Sequence, residues 1–175
     1  MPGGSGRSSG RRVRILDSTA MILGFTESLG GRLITSGKIL EESKYGGAEY
    51  RALASREGRM VEIMNPDQEY VEEVRRLAAE AGEKELSEAD ISILALALQL
   101  LKEKYEVSII TSDYSIQNLA SLLGVEVEPI LHRGIKKVII WATYCGICGW
   151  SGDKRPREPC PVCGHPLKRR PMKKP

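Results

Sequence analysis

Apolar stretches of strand length alternate with segments of helical periodicity, which predicts an α/β domain: a mostly parallel central sheet covered by helices on both faces, three layers in all. Four cysteines confined to residues 145–163 predict a small metal-stabilised unit after it. A chain of 175 residues with 41% hydrophobic content has room for one ordinary core plus such an appendage.

Residues 1–11 are mostly Gly, Ser and Arg without an apolar run and read as a disordered basic arm. The apolar run at 13–16 stops at Asp17 and predicts a first strand; a helix follows through Leu29, ended by Gly30 and Gly31. Thr35 or Ser36 can cap a second helix carrying Ile39, Leu40, Glu41 and Glu42, with a further helical piece from Gly47 to about Arg56. Residues 61–64 predict a strand. Asn65 as cap, Pro66 in the first turn, and the acids Asp67 and Glu69 at the positive end of the dipole open a helix that Gly82 ends. Ser87 and Asp90 open the next helix, whose Ile91, Leu94, Ala95, Leu98 and Leu101 make it heavily apolar and central. A strand at 107–111, a helix at 115–123 stopped by Gly124, and a strand at 125–130 complete a domain spanning 12–130. A basic linker at 131–137, a cysteine unit at 138–167 and a basic tail at 168–175 follow.

The net charge of +3 hides a segregation along the chain. Residues 1–14 and 132–175 together carry +13, and the middle carries −10. Basic ends of this kind suit a polyanion, with Arg133, Lys136, Lys137, Lys168, Arg169 and Arg170 as the candidate contacts to it. The start of the chain has no signal-peptide core or membrane span, so a cytoplasmic protein without membrane association is expected.

In an open parallel sheet the functional crevice lies beyond the carboxyl ends of the strands. Asp17 and Asp113 each follow a predicted strand, Asp90 opens the central helix, and Glu42 lies one turn after Ile39. Four acids converging there repel one another, and hard divalent cations such as Mg²⁺ or Mn²⁺ offset that repulsion. Each acid also has a plain structural use: Asp90 in a capping box, Asp113 as a helix cap, Glu42 on a solvated face, Asp17 in a turn.

The run Leu16-Asp17-Ser18, then Ile39-Leu40-Glu41-Glu42, then Ser87-Glu88-Ala89-Asp90-Ile91, then Thr111-Ser112-Asp113 resembles the PIN nuclease superfamily over about residues 12–130. The resemblance implies Asp17, Glu42, Asp90 and Asp113 as an acidic quartet that binds Mg²⁺ or Mn²⁺, with Thr111 as a supporting hydroxyl. Glu41 competes with Glu42 for the second place. Hydrolysis of RNA by an activated water is the implied activity.

Cys145-x2-Cys148, eleven residues, then Cys160-x2-Cys163 is the spacing of a zinc ribbon, and a complete shell of four thiolates makes that Zn²⁺ structural. Trp141, Tyr144 and Trp150 flank the knuckles and either pack over the ribbon or stack on bases. A PIN-type domain followed by a ribbon is similar to the Nob-one endonucleases of small-subunit assembly, archaeal type. That likeness implies single-stranded RNA at the 3′ end of precursor small-subunit (16S) rRNA as substrate, within a pre-ribosomal particle and in company with assembly factors. A toxin-type PIN ribonuclease acting on tRNA or mRNA, and a non-catalytic RNA-binding assembly factor, are the alternatives.

Overall fold

The computed structural model describes residues 11–23, 31–42, 61–130 and 133–172. The expected basic arm up to residue 10, the helix continuing to 29, the helical piece near 47–56, His132 and the last three residues lie outside the described residues.

Five strands form one sheet: β1 (Arg12–Leu16), β2 (Arg32–Thr35), β3 (Glu62–Ile63), β4 (Glu106–Ile110) and β5 (Glu126–Glu128). Their order is β3-β2-β1-β4-β5, and every pairing is parallel. Parallel connections carry helices onto both faces, so β1 and β4 are buried along nearly their whole length. On one face Val13, Ile15, Ile34, Val107 and Ile109 meet the long helices α3 (Gln68–Ala81), α4 (Glu88–Lys102) and α5 (Tyr114–Leu123). On the other, Leu16, Leu33 and Ile110 meet Ala20 and Met21 of α1 (Ser18–Ile22) and Leu40 of α2 (Gly37–Glu42). Ten of the fifteen residues of α4 are buried, which makes it the central helix expected.

The strand β2 was not expected. It has only two apolar residues, Leu33 and Ile34, directly after a glycine pair, and no alternation long enough to reveal it. Tertiary burial between β1 and β3 makes it a strand. The cap of α3 also differs from expectation: Asp67 precedes the first helical residue, while Asn65 Oδ1 accepts the Gly37 N–H at 3.0 Å and ties α2 to the loop before α3.

Residues 168–171, expected to begin a tail, form β8 (Lys168–Pro171). It pairs antiparallel with β6 (Trp141–Tyr144), and β7 (Ser151–Gly152) lies on the other side of β6. Basic residues tolerate this strand because two of them lie over aromatic rings. Arg169 sits 4.4 Å from the Trp141 centroid and Arg170 4.7 Å from that of Tyr144. Successive residues point to opposite faces, so Arg169 and Trp141 share one side of the ribbon while Arg170, Tyr144 and Lys168 share the other.

The ribbon is fastened to the larger domain through the inward side. Asn118 on α5 donates to the Ile139 carbonyl at 2.7 Å and accepts the Ile139 N–H at 2.8 Å. The buried Glu83 carboxylate accepts from Asn118 Nδ2 and Trp141 Nε1, each at 3.0 Å, with Arg169 at 3.5 Å. Gly82, in the left-handed conformation that ends α3, lies so close to the Trp141 carbonyl that a Cβ would collide with it. Among the described residues no helix is long and apolar enough to cross a membrane.

The loss of Asn118 leaves Ile139 and Glu83 short of partners. Asn118→Ala is therefore expected to lower stability by about 2 kcal/mol, roughly 6 °C in melting temperature. Hydrogen exchange at Ile139 should quicken in the same variant, and unchanged melting and exchange would show that the seam contributes nothing.

A second prediction concerns acid. Burial works against ionising Glu128, but the hydroxyl of Ser108 and the guanidinium of Arg14 outweigh it and hold the carboxyl below its ordinary value. Such a group contributes stability above its unfolded pKa and loses it as pH falls through the folded value. Glu128→Gln should therefore flatten the acid side of the stability–pH curve, and an unaltered curve would contradict this.

Candidate active site and cysteine metal centre

Strand order reverses at β1: β2 lies on one side of it and β4 on the other. At such a switch point the connecting helices diverge and leave a crevice beyond the carboxyl ends of the two strands. Asp17 is the first residue after β1, and Thr111 and Asp113 follow β4. Asp17 is buried, Thr111 fully so, and Asp113 is exposed at the mouth.

Thr111 joins the two acids. Its hydroxyl donates to the Asp17 carboxylate, and its Oγ1 accepts the Asp113 N–H at 3.0 Å. Burial raises the Asp17 carboxyl above its ordinary value; the bonds from Thr111 and the Ala20 N–H oppose this, and the charges of Asp113 and Asp90 add to the rise. Asp17, Asp90 and Asp113 thus share one electrostatic neighbourhood.

The structural uses of these acids are real and coexist with this convergence. Asp17 Oδ1 accepts the Ala20 N–H at 2.6 Å and caps α1. Asp113 Oδ1 accepts from Ser115 and Ile116 and caps α5. Asp90 Oδ2 accepts the Ser87 N–H at 2.9 Å while Ser87 Oγ accepts the Asp90 N–H, a complete capping box. Each cap bond uses one oxygen, and a carboxylate has two, with about four lone-pair directions. Capping therefore orients the carboxylate without exhausting it.

Glu42 ends α2, and its side chain lies outside the described residues. Its competitor Glu41 is exposed and paired with Lys38 at 2.7 Å. Three buried hydroxyls lie around the crevice: Thr35 and Ser36, expected only as possible caps of α2, and Ser92, which the sequence reading did not single out. Thr35 Oγ1 donates to the Leu16 carbonyl at 2.9 Å and fixes the strand end from which Asp17 projects. Ser92 donates to the Ala89 carbonyl, so Ser36 donates to Ser92 at 2.5 Å and fastens the start of α2 to α4 beside Asp90. The available signal was a serine inside the apolar run of α4.

Oxygen donors of this kind fit a hard cation. Magnesium in particular keeps several waters and needs only one or two carboxylates, so it does not require a closed cage. Among the described residues the four cysteines are the one cluster of three or more metal-ligating groups in mutual contact range, their Sγ atoms all within 4.8 Å.

Cys145 and Cys163 lie 3.5 Å apart and Cys148 and Cys160 3.6 Å. A disulfide needs about 2.05 Å. Four thiolates about 2.3 Å from a tetrahedral ion stand about 3.8 Å from each other, so the cluster has the dimensions of a metal site. The two knuckles repeat one geometry: the Cys145 carbonyl accepts the Gly149 N–H and the Cys160 carbonyl that of Gly164. Both glycines have positive φ, while Gly146 does not. Backbone N–H groups of Cys148 and Ile147 bring the Cys145 thiol down to about 6. The Trp150 backbone lowers that of Cys148, but burial and the neighbouring sulfurs push it up to about 12. A bound cation would favour ionisation of all four, because a coordinating thiol is deprotonated. His165 is exposed, with Nδ1 3.3 Å from the Cys163 carbonyl, and adds nothing to the four-sulfur set.

Arg133, Lys136, Lys137, Lys168, Arg169 and Arg170 are all exposed, Arg169 with its guanidinium also over the Trp141 ring. Trp150 packs against the small ribbon core of Cys145, Cys160 and Leu167.

Residues 15–100 match the PIN domain of ribonuclease. The chain is 44% identical over 97 residues to the Endoribonuclease Nob1 of Archaeoglobus fulgidus, 55% of this chain and 57% of that protein. It is 33% identical over 170 residues to the Endoribonuclease Nob1 of Methanocaldococcus jannaschii, 95% of this chain and 82% of the relative. It is likewise 33% identical over 162 residues to Ribonuclease VapC1 of Thermoplasma acidophilum, 90% of this chain and 77% of the relative. With a PIN-type sheet, its acids at the switch point and a cysteine ribbon behind it, this chain belongs to the Nob1 family of PIN-domain endoribonucleases.

Proposed function

We propose that the chain cuts precursor small-subunit rRNA at its 3′ end, by divalent-cation-dependent hydrolysis, within a pre-ribosomal particle. The observation that carries the chemistry is the placement of Asp17 and Asp113 beyond the ends of β1 and β4, joined through Thr111, with Asp90 near enough for its charge to act on Asp17. The likeness to the Nob1 endoribonucleases and the basic ribbon support an RNA substrate.

Asp17, Asp90 and Asp113, with Glu42, are the residues to hold Mg²⁺ or Mn²⁺. When bound, such a cation generates a hydroxide-like water near neutral pH and stabilises charge on the leaving oxygen. The chain's own part is to hold those acids in place: helix caps fix Asp17, Asp90 and Asp113, and Thr111 sets the spacing of two of them. Acids alone repel a phosphate backbone, so the accessible cations of the linker and ribbon supply the attraction. Water attack breaks the bond between phosphorus and the 3′ oxygen, leaving a 5′-phosphate and a 3′-hydroxyl. The four cysteines hold a structural Zn²⁺. The VapC1 similarity supports a second reading, a toxin-type ribonuclease acting on tRNA or mRNA.

Incubating the protein with Mn²⁺ and a short RNA spanning the small-subunit 3′ end should yield one cut with those termini. A cut only in tRNA or mRNA would favour the second reading, and cleavage in chelator with a 2′,3′-cyclic phosphate would overturn the metal mechanism. Asp17→Asn and Asp113→Asn should each reduce cutting at least about a hundredfold while RNA binding and fold persist, because asparagine caps a helix as well as aspartate but carries no charge. Near-wild-type cutting in both would remove these acids from the chemistry.

Elemental analysis should find one zinc per chain. Cys148→Ser should lose it and loosen the ribbon, while the nuclease domain stays folded on its separate core. Zinc-free protein with oxidised cysteines would sink this assignment.

A further inference from the structure

Glu83 is a carboxylate with only 3% of its side chain exposed, and it takes no part in the chemistry proposed above. We infer that Glu83 is a positioning residue: by joining the ribbon to the helices that carry Asp90 and Asp113, it makes cation binding in the crevice depend on the docked ribbon. The inference rests on the reading of those acids as cation ligands.

The bonds that meet at Glu83 come from every side of the seam. Its own N–H donates to the Ala78 carbonyl of α3 at 2.9 Å. Its Oε1 accepts from Asn118 Nδ2 on α5 and from Trp141 Nε1 on β6, each at 3.0 Å, and its other oxygen faces Arg169 of β8 at 3.5 Å. The next residue is held by the ribbon as well: Lys84 Nζ donates to Asp153 at 2.6 Å and to the Lys154 carbonyl at 3.3 Å. From Lys84 the chain runs directly to Ser87, the cap of α4, whose partner in the capping box is Asp90. Asn118 lies on α5, the helix that Asp113 caps. One network therefore braces the entry to the helix of Asp90 and the helix behind Asp113, and the ribbon is its third leg.

A buried carboxylate is a poor adhesive, since apolar side chains of similar volume hold two surfaces together as well or better. Nor is this seam close-packed: a cavity of about 210 Å³ lies in it, with Glu83, Asn118, Ile139 and Trp141 in its walls. Directed bonds rather than packing thus fix how the ribbon sits on the two helices. The crevice is where such precision matters. The charges of Asp90 and Asp113 both act on Asp17, and a cation such as magnesium demands near-ideal octahedral geometry from the carboxylates it uses. Coupling of this kind is reciprocal, so a cation that gains from docking must tighten docking by the same factor.

Calorimetric titration of the full-length protein with Mn²⁺, well below its melting temperature, tests the inference. Glu83→Ala should weaken Mn²⁺ binding roughly tenfold, within the ordinary range of coupling between sites. Glu83→Gln keeps a carbonyl oxygen for Asn118 and Trp141 and should retain most of the affinity. Val107→Ala, a core truncation at the end of β4 opposite the crevice, should lower the melting temperature and leave Mn²⁺ affinity unchanged. In the wild type, Mn²⁺ should slow hydrogen exchange of the Ile139 N–H that Asn118 accepts, and in Glu83→Ala it should not. Equal Mn²⁺ affinity in wild type and Glu83→Ala, an equal loss in Val107→Ala, or exchange at Ile139 indifferent to Mn²⁺ would overturn the inference and leave the cation reading standing. No Mn²⁺ binding by the wild type would overturn that reading, and this inference with it.

Discussion

Like charges forced together at the β1/β4 switch point govern how the rest of this molecule is built. Strand order dictates that the ends of β1 and β4 open into the same crevice, and the sequence places an aspartate at each. Burial is the main reason that the Asp17 carboxyl is raised above its ordinary value, and the charges of Asp113 and Asp90 add to it. The fold tolerates it by giving each acid a helix to cap and by bridging two of them through Thr111. The same bonds orient the carboxylates.

The charge segregation along the chain has its counterpart in space. An acidic crevice repels a polyanion, and the cations that reverse this are carried by the linker and the ribbon. The ribbon is not loosely tethered. Glu83, Asn118 and Gly82 fasten it beside α5, the helix whose cap is Asp113, so the basic ribbon is fixed relative to the acids of the crevice. Only five amide side chains occur in the chain, and two adjacent ones, Gln117 and Asn118, hold the backbone of the linker at Ile135 and of the ribbon unit at Ile139.

Much of this was legible in the sequence, because its strongest signals are local. The capping box of Ser87 and Asp90, the stops at Gly82 and Gly124 and the two cysteine knuckles each rest on neighbours a few residues apart. What escaped depends on distant partners. Residues 32–35 become β2 only because β1 and β3 flank them, and 168–171 becomes β8 because β6 offers a pairing edge with Trp141 and Tyr144 under its arginines. No spacing rule announces that Glu83 will meet Trp141 across 58 residues. The acids themselves were readable as candidates but ambiguous between caps and ligands: Asp17, Asp90 and Asp113 each cap a helix in the structure, a use that local spacing cannot tell from cation binding.

Thermal melting of the wild-type protein and of Asp17→Asn, each in chelator and in Mn²⁺ at neutral pH, tests most directly whether the crevice is a crowded acidic site built for a cation. In chelator the variant should melt higher, by a few degrees if relief of repulsion is worth about 1 kcal/mol. Mn²⁺ should raise the wild type and move the variant far less. A variant that melts lower in chelator, with both proteins equally indifferent to Mn²⁺, would contradict the account.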